Sequence, residues 1–241
     1  MARDEIYREL SGDREFRFDA RVADVFDDML ARSVPGYRRV IRMTVALLGR
    51  SLAPGDLVYD LGCSTGVTLL ELAGQLAQPG LRFVGLDNSP AMLEKAAHKA
   101  EMFGLADRIS FREADITTAA FEPAGAIIMN YTLQFVAPEL RPNFLRTIHQ
   151  TLRPGGVLVL SEKIVSADPD FDLTFGNCYL DFKRANGYSE TEIARKRQAL
   201  EKVLIPLSLA DNLAMLESAG FAAAEPFHRW FNFASIVAVK Q

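Results

Sequence analysis

The sequence predicts a doubly wound α/β domain, a mostly parallel sheet with helices on both faces. Three observations predict it. Short apolar runs alternate with segments of helical period from residue 57 to residue 163, the order that a parallel sheet with crossover helices requires. The first run, Val58-Tyr-Asp-Leu, ends beside an acidic residue and passes through Gly62-Cys-Ser-Thr-Gly66 into a helix. The next three runs lead into Asp87-Asn88, Asp115-Ile116 and Asn130, so polar side chains collect at successive strand ends. Ligands of such sheets bind beyond those ends.

The elements follow in order. Residues 20–32 place Val22, Val25, Phe26, Met29 and Leu30 on one helical face, and Ser33-Val-Pro-Gly36 ends that helix. A second helix, about 37–52, aligns Val40, Ile41, Val45 and Leu48. Residues 1–53 thus read as an N-terminal helical lid whose first 15 residues are polar and loose. Strand 57–61 and helix 67–76 come next, then strand 82–86 and a helix with Ser89 as N-cap and Pro90 at its first position. Strands 109–113 and 126–130 follow; the second is a continuous apolar run, as in a strand buried on both faces. Helix 138–152, a sharp turn at Arg153-Pro-Gly-Gly156 and strand 157–161 complete the alternation. Residues 164–206 lack the strand pattern and read as a helical insertion. Helix 207–219, stopped by Gly220, leads to two β-rich runs, 223–230 and 232–240, that pair as an antiparallel hairpin. The expectation is one domain over residues 1–241 with seven strands.

Composition narrows the function. A net charge of −4 disfavours direct binding to nucleic acid, which needs clustered Lys and Arg. Cys63 and Cys178 are the only cysteines, so no disulfide framework is implied. Residues 1–20 carry no apolar stretch of a signal peptide, and no run is long enough for a membrane span. A cytoplasmic protein without a membrane partner is expected. His98, His149 and His228 are the only histidines, and neither a Ser-His-Asp order nor a metal-ligand spacing appears, so no metal is expected.

Gly62 and Gly66 let the backbone approach a ligand closely. Asp60 is placed to orient their loop, and the loop's N–H groups to meet the ligand. Asp87 can accept hydrogen bonds from both hydroxyls of a ribose, which disfavours a 2′-phosphate there. Asp115 can accept from an adenine amino group while Ile116 packs on the ring, and Asn130 sits where the reacting end would lie. Singly, each residue is ordinary: Gly-x-Ser-x-Gly is a common turn and Asp after a strand a common cap. In order at four strand ends, they resemble the S-adenosylmethionine site of class I methyltransferases, a Rossmann-like fold, and lack the Gly-x-Gly-x-x-Gly of dinucleotide enzymes. The insertion is locally basic, with Lys183, Arg184, Arg195, Lys196 and Arg197. Most of these read as a solvated helix face. A cation near a sulfonium nevertheless points to an anion between them.

Longer stretches carry a closer resemblance. Ser33-Val-Pro-Gly-Tyr37, Val58-Tyr-Asp-Leu-Gly-Cys-Ser64, Asp87-Asn-Ser-Pro-Ala-Met92, Thr132-Leu-Gln-Phe135, Pro154-Gly-Gly156, Leu160-Ser-Glu-Lys163 and Asp181-Phe-Lys-Arg-Ala-Asn-Gly-Tyr-Ser-Glu190 resemble the carboxy-S-adenosyl-L-methionine synthases over nearly the whole chain. The resemblance implies an enzyme that does not methylate. It combines S-adenosylmethionine with prephenate, which loses carboxylate and hydroxide to become phenylpyruvate. The hydroxide removes the methyl proton, and the resulting ylide captures the carbon dioxide. The product would serve a separate enzyme that modifies the tRNA wobble uridine. The implied ligand contacts are Tyr37, Gly62, Cys63, Ser64, Asp87, Asn88, Asp115, Ile116, Asn130 and Arg197. Arg197 is the implied catalytic residue, a carboxylate anchor that can reach a neighbouring subunit's pocket in a homodimer. Lys183, Arg184 and Tyr188 are the candidates for prephenate contact. An ordinary small-molecule methyltransferase is the alternative.

Overall fold

The computed structural model describes residues 3–9 and 17–241. Its strands follow the apolar runs: β1 (Leu57–Leu61), β2 (Arg82–Asp87), β3 (Ile109–Glu113), β4 (Ala124–Asn130), β5 (Leu152–Val165), β6 (Leu207–Ser208), β7 (Ala223–Trp230) and β8 (Phe233–Val239). The sheet order is β3-β2-β1-β4-β5-β8-β7. Strands β1 to β5 pair in parallel, and β8 runs antiparallel to β5 and β7. The α/β class and the antiparallel terminal hairpin are as predicted. The order reverses between β1 and β4, which opens a crevice at their carboxyl ends.

The helices are α1 (Ile6–Glu9), α2 (Ala20–Ser33), α3 (Tyr37–Ser51), α4 (Val67–Gln75), α5 (Pro90–Met102), α6 (Arg141–Thr151), α7 (Pro169–Ala185), α8 (Glu190–Leu200) and α9 (Leu209–Ser218). Period-two alternation splits the strands between two cores. Tyr59, Leu61, Ile127, Met129, Leu158 and Leu160 pack with Phe144 and Leu145 of α6 and Leu216 of α9 on one face. Val58, Phe83, Ala126, Ile128 and Val159 pack with Leu48 of α3 and Leu69 and Leu72 of α4 on the other. Each buried Val, Leu, Ile, Met or Phe among them contributes about 1.5–3 kcal/mol. The Ser89 hydroxyl caps α5 by accepting the Met92 N–H at 3.3 Å, with Pro90 in the first turn.

Three features depart from the sequence reading. The Pro154-Gly-Gly156 turn is an irregularity inside β5: Ala124 pairs with Leu152, but Ala126 pairs with Val157. Proline has no N–H for the ladder and Gly155 has φ +73°, so the chain loops out and then rejoins its partner. An eighth strand, β6, pairs with the end of β5; two residues are too few to show a period. Residues 3–9 are also not loose, because Asp4 and Tyr7 are buried and the Tyr188 hydroxyl donates to Asp4 at 2.5 Å. A buried acid there reads as a polar tail until its partner is known. Residues 10–15 of that predicted segment lie outside the described residues.

Candidate active site

A cavity of about 540 Å³ opens at the carboxyl ends of the parallel strands. That is an ordinary size for a small-molecule site. Tyr37, Gly62, Cys63, Ser64, Asp87, Asn88, Asp115, Ile116 and Asn130 all line it. Arg197 does not; it is exposed on α8. Read across the sheet from β3 to β5, the strand ends carry Asp115, Asp87, Asp60, Asn130 and Lys163. The cavity therefore runs from acidic through neutral to basic.

The loop after β1 closes on β2. Gly62 and Gly66 have φ +75° and +76°, where a side chain is strained. A Cβ on Gly62 would lie 2.5 Å from Thr132 Cγ2, and one on Gly66 would lie 3.0 Å from Ala96 Cβ. The first obstacle to a side chain is thus protein. The N–H groups of Gly62 and Cys63 donate to the Leu86 carbonyl at 2.8 and 3.0 Å, and that of Gly66 donates to the Cys63 carbonyl. The Ser64 N–H donates to Asp87 Oδ2 at 2.9 Å. These four groups already have protein partners and hold the loop's shape.

Asp87 takes the loop-orienting role expected of Asp60. Its other oxygen accepts the Ser89 N–H at 2.9 Å. Burial raises its pKa, and these backbone bonds oppose the rise. Asp60 is 2% exposed, lines the cavity and receives no hydrogen bond from any described residue. Burial, with repulsion from Asp87 added, pushes its carboxyl up to about 8. A buried carboxylate pair without a cation among the described residues favours a positively charged ligand.

Asn130 is held on both sides: Nδ2 donates to Thr68 Oγ1 at 3.3 Å, and Oδ1 accepts from Ser161 Oγ at 2.9 Å. The next residue, Tyr131, has φ +64°, a strained conformation that turns the chain sharply over the cavity. Asp115 Oδ1 accepts the N–H and hydroxyl of Thr117 at 2.8 and 2.7 Å, and Ile116 packs against the core beside it. Burial, with repulsion from Asp60 and Asp87, raises the Cys63 thiol well above its usual range, so it is a packing group rather than a nucleophile. None of the three histidines lines the cavity.

The basic insertion divides sharply. Lys183 and Lys196 are buried and line the cavity, against the expectation of a solvated face, and Lys163 joins them. Arg184 turns outward to Asp181 and Glu190, and Arg195 donates to the Tyr7 carbonyl. Tyr188 is buried against Asp4, outside the cavity. Two further buried residues, neither lining the cavity, hold the segment from Leu133 to Val136 that borders it. Arg141, 2% exposed, donates to the carbonyls of Val136, Gln134 and Ile205, and Glu162 accepts the Leu133 N–H at 3.1 Å. Neither showed in the sequence, because a bond to a backbone carbonyl or N–H leaves no pattern of residue types to read.

Comparison with known proteins places this architecture. A methyltransferase domain family matches residues 58–156. The carboxy-S-adenosyl-L-methionine synthase of Desulfotalea psychrophila is 48% identical over 99% of this chain and 97% of its own length. That of Methylococcus capsulatus is 46% identical over the full length of both. This chain belongs to the carboxy-S-adenosyl-L-methionine synthase family. As a member of that synthase family, it is an enzyme of the transferase class. Solved structures similar to this synthase-family chain include the S-adenosylmethionine-dependent methyltransferase SibL, at a TM-score of 0.66 and 21% identity over 97% of this chain and 64% of that one. An O-methyltransferase family protein from Burkholderia thailandensis has a TM-score of 0.69 and 16% identity, covering 92% of this chain and 60% of its own. These two likenesses establish the class I methyltransferase fold. Among the described residues, no cluster of His, Cys, Asp or Glu could hold a metal, and no helix is long and apolar enough to cross a membrane.

Proposed function

We propose that this chain converts S-adenosyl-L-methionine and prephenate into carboxy-S-adenosyl-L-methionine and phenylpyruvate. The observation that carries the reading is its similarity to synthases over nearly the full length of both chains. The cavity fits that chemistry. Asp60 and Asp87 suit a cationic nucleoside, Asp87 retains acceptor capacity for a ribose diol, and Asp115 has one carboxylate oxygen unused by Thr117. Bound in this way, S-adenosylmethionine supplies an acidified methyl group beside its sulfonium. The residues around it bind and orient, and the absence of a cavity histidine agrees with a base that comes from prephenate itself.

The finer assignments belong to the same proposal. Tyr37, Gly62, Cys63, Ser64, Asp87, Asn88, Asp115, Ile116 and Asn130 hold the nucleoside. Arg197 anchors the product carboxylate from the neighbouring subunit of a homodimer, which suits its exposure on this chain. The product passes in the cytoplasm to a separate enzyme that modifies tRNA wobble uridine, so this acidic chain binds no nucleic acid itself. Mass spectrometry of the nucleosides formed with S-adenosylmethionine and prephenate tests the reaction. A species heavier than S-adenosylmethionine by one carbon dioxide, appearing with phenylpyruvate, is expected. Only S-adenosylmethionine or S-adenosylhomocysteine, with or without prephenate, would mark an ordinary methyltransferase.

A further inference from the structure

Three lysines form the basic end of the cavity. Lys163 lies near the end of β5, Lys183 on α7 and Lys196 on α8. Lys183 and Lys196 are each only 6% exposed. No carboxylate of a described residue stands within ion-pair distance of Lys163 or Lys183. Lys196 has Asp4 at 3.7 Å, but that carboxylate also accepts the Tyr188 hydroxyl. The ammonium groups of Lys163 and Lys183 sit 5.3 and 4.5 Å from the centroid of the Tyr179 ring, so the two gather around one aromatic wall.

Lys183 and the half-buried Lys163 converge without a counter-ion among the described residues, which is costly, because each loses its hydration and repels the other. A core position has no use for this arrangement; methionine would fill the same space at less cost. A binding site does have a use for it, since a ligand can bring the missing negative charge. Two ammonium groups without a carboxylate, with the Asp4-paired Lys196 beside them, call for more than one negative charge. Their place at the basic end of the strand-end series, past Asn130, separates this ligand from the one that suits Asp60 and Asp87.

We propose that Lys163, Lys183 and Lys196 form the binding site for a dicarboxylate co-substrate, holding its carboxylates beside Tyr179. This rests on the functional reading above, in which that dicarboxylate is prephenate. Protonation supports the assignment. Burial, with repulsion from Lys196, Lys163 and Arg197, lowers Lys183 to about 7, and burial lowers Lys196 to about 8 despite Asp4. Lys163 is lowered by burial and by Arg197, with Asp172 opposing. A bound dianion raises all three, so binding near pH 7.5 takes up protons.

The test compares the full-length wild type with Lys183→Met and Lys163→Met. Calorimetry first measures S-adenosylhomocysteine, then prephenate on the S-adenosylhomocysteine complex, in two buffers of different ionisation enthalpy. Expected results are S-adenosylhomocysteine affinity within about twofold of wild type and prephenate affinity down roughly 10- to 100-fold in each variant. Proton uptake should fall in Lys183→Met. The free Lys183→Met protein should also melt about 3 °C higher, since a purely structural lysine would not be better replaced. Unchanged prephenate affinity in both variants overturns the site. So does an equal loss of S-adenosylhomocysteine affinity, which would give the lysines to the nucleoside. Product formation separates this proposal from the reading beneath it. A wild type that makes carboxylated product while both variants keep its prephenate KM leaves the reaction standing and the lysine site refuted. A wild type that binds prephenate through these lysines but forms no carboxylated product leaves the site standing and the reaction refuted.

Discussion

Asp87 Oδ2 accepts the Ser64 N–H at 2.9 Å and so fastens the glycine loop to the end of β2. One carboxylate serves the loop's shape and, in the proposed reading, the ribose. Asp87→Ala removes both. S-Adenosylhomocysteine affinity should fall roughly 100-fold, the loss expected for charge-assisted hydrogen bonds at a buried acid. Calorimetry on the purified variant measures it, and a change under about threefold would remove Asp87 from the site.

Asp60 makes the enzyme's behaviour depend on pH. Its folded pKa, about 8, lies above that of an unfolded Asp. The folded state therefore holds a proton that the unfolded chain has released. The stability this gives is full below about pH 4 and is lost as pH rises through about 8. Thermal melts of the free protein should fall across that window, and Asp60→Asn should flatten the fall. A cationic cofactor reverses the preference, so S-adenosylmethionine binding at pH 7 should release a proton from the wild type and none from Asp60→Asn. Equal proton release from both would refute the role.

Gly62→Ala should destabilise the fold by about 2–4 kcal/mol, combining a strained positive φ with a clash against Thr132. Thermal unfolding would show a fall of about 5–10 °C. Adding Thr132→Ala should restore the steric part only. Full restoration would mean that backbone strain is negligible there.

Arg141 ties the segment under the cavity to residue 205 through three carbonyls. Arg141→Met leaves the Val136 and Ile205 carbonyls without this donor, while Gln134 keeps the Ile205 N–H, and removes a positive charge that favours the ionised form of buried Glu162. A loss of about 3 kcal/mol is expected. Hydrogen exchange should quicken first at the amides of Leu133 and Phe135–Val136, which this segment shields. Uniform acceleration across the sheet would instead indicate global loosening.

Arg197 tests the dimer. Alone, Arg197→Ala should weaken carboxy-S-adenosylmethionine at least tenfold more than S-adenosylmethionine, because it strands a buried carboxylate. If the arginine crosses between subunits, mixing Arg197→Ala with Asp87→Ala chains should recover activity by leaving one intact cavity per mixed dimer. Two inactive proteins that stay inactive when refolded together would place Arg197 within its own subunit's site.

The sequence by itself determined the strand–helix alternation, the Ser89 cap, the glycine turn and the acidic strand ends. Each is written locally, in periods of 2 and 3.6 residues, in a capping hydroxyl or in a residue that tolerates positive φ. Tertiary structure alone decided which cations enter the cavity. Lys183 and Arg184 are neighbours in sequence, as are Lys196 and Arg197, yet in each pair the lysine is buried and the arginine exposed. One residue turns the helix by roughly 100°, so only the packing of α7 and α8 selects the inward side chain. The same holds for Asp4, the Arg141 bond to residue 205 and the loop N–H groups that Leu86 satisfies. Their partners are distant in sequence, and no local pattern records a contact made only when the chain has folded.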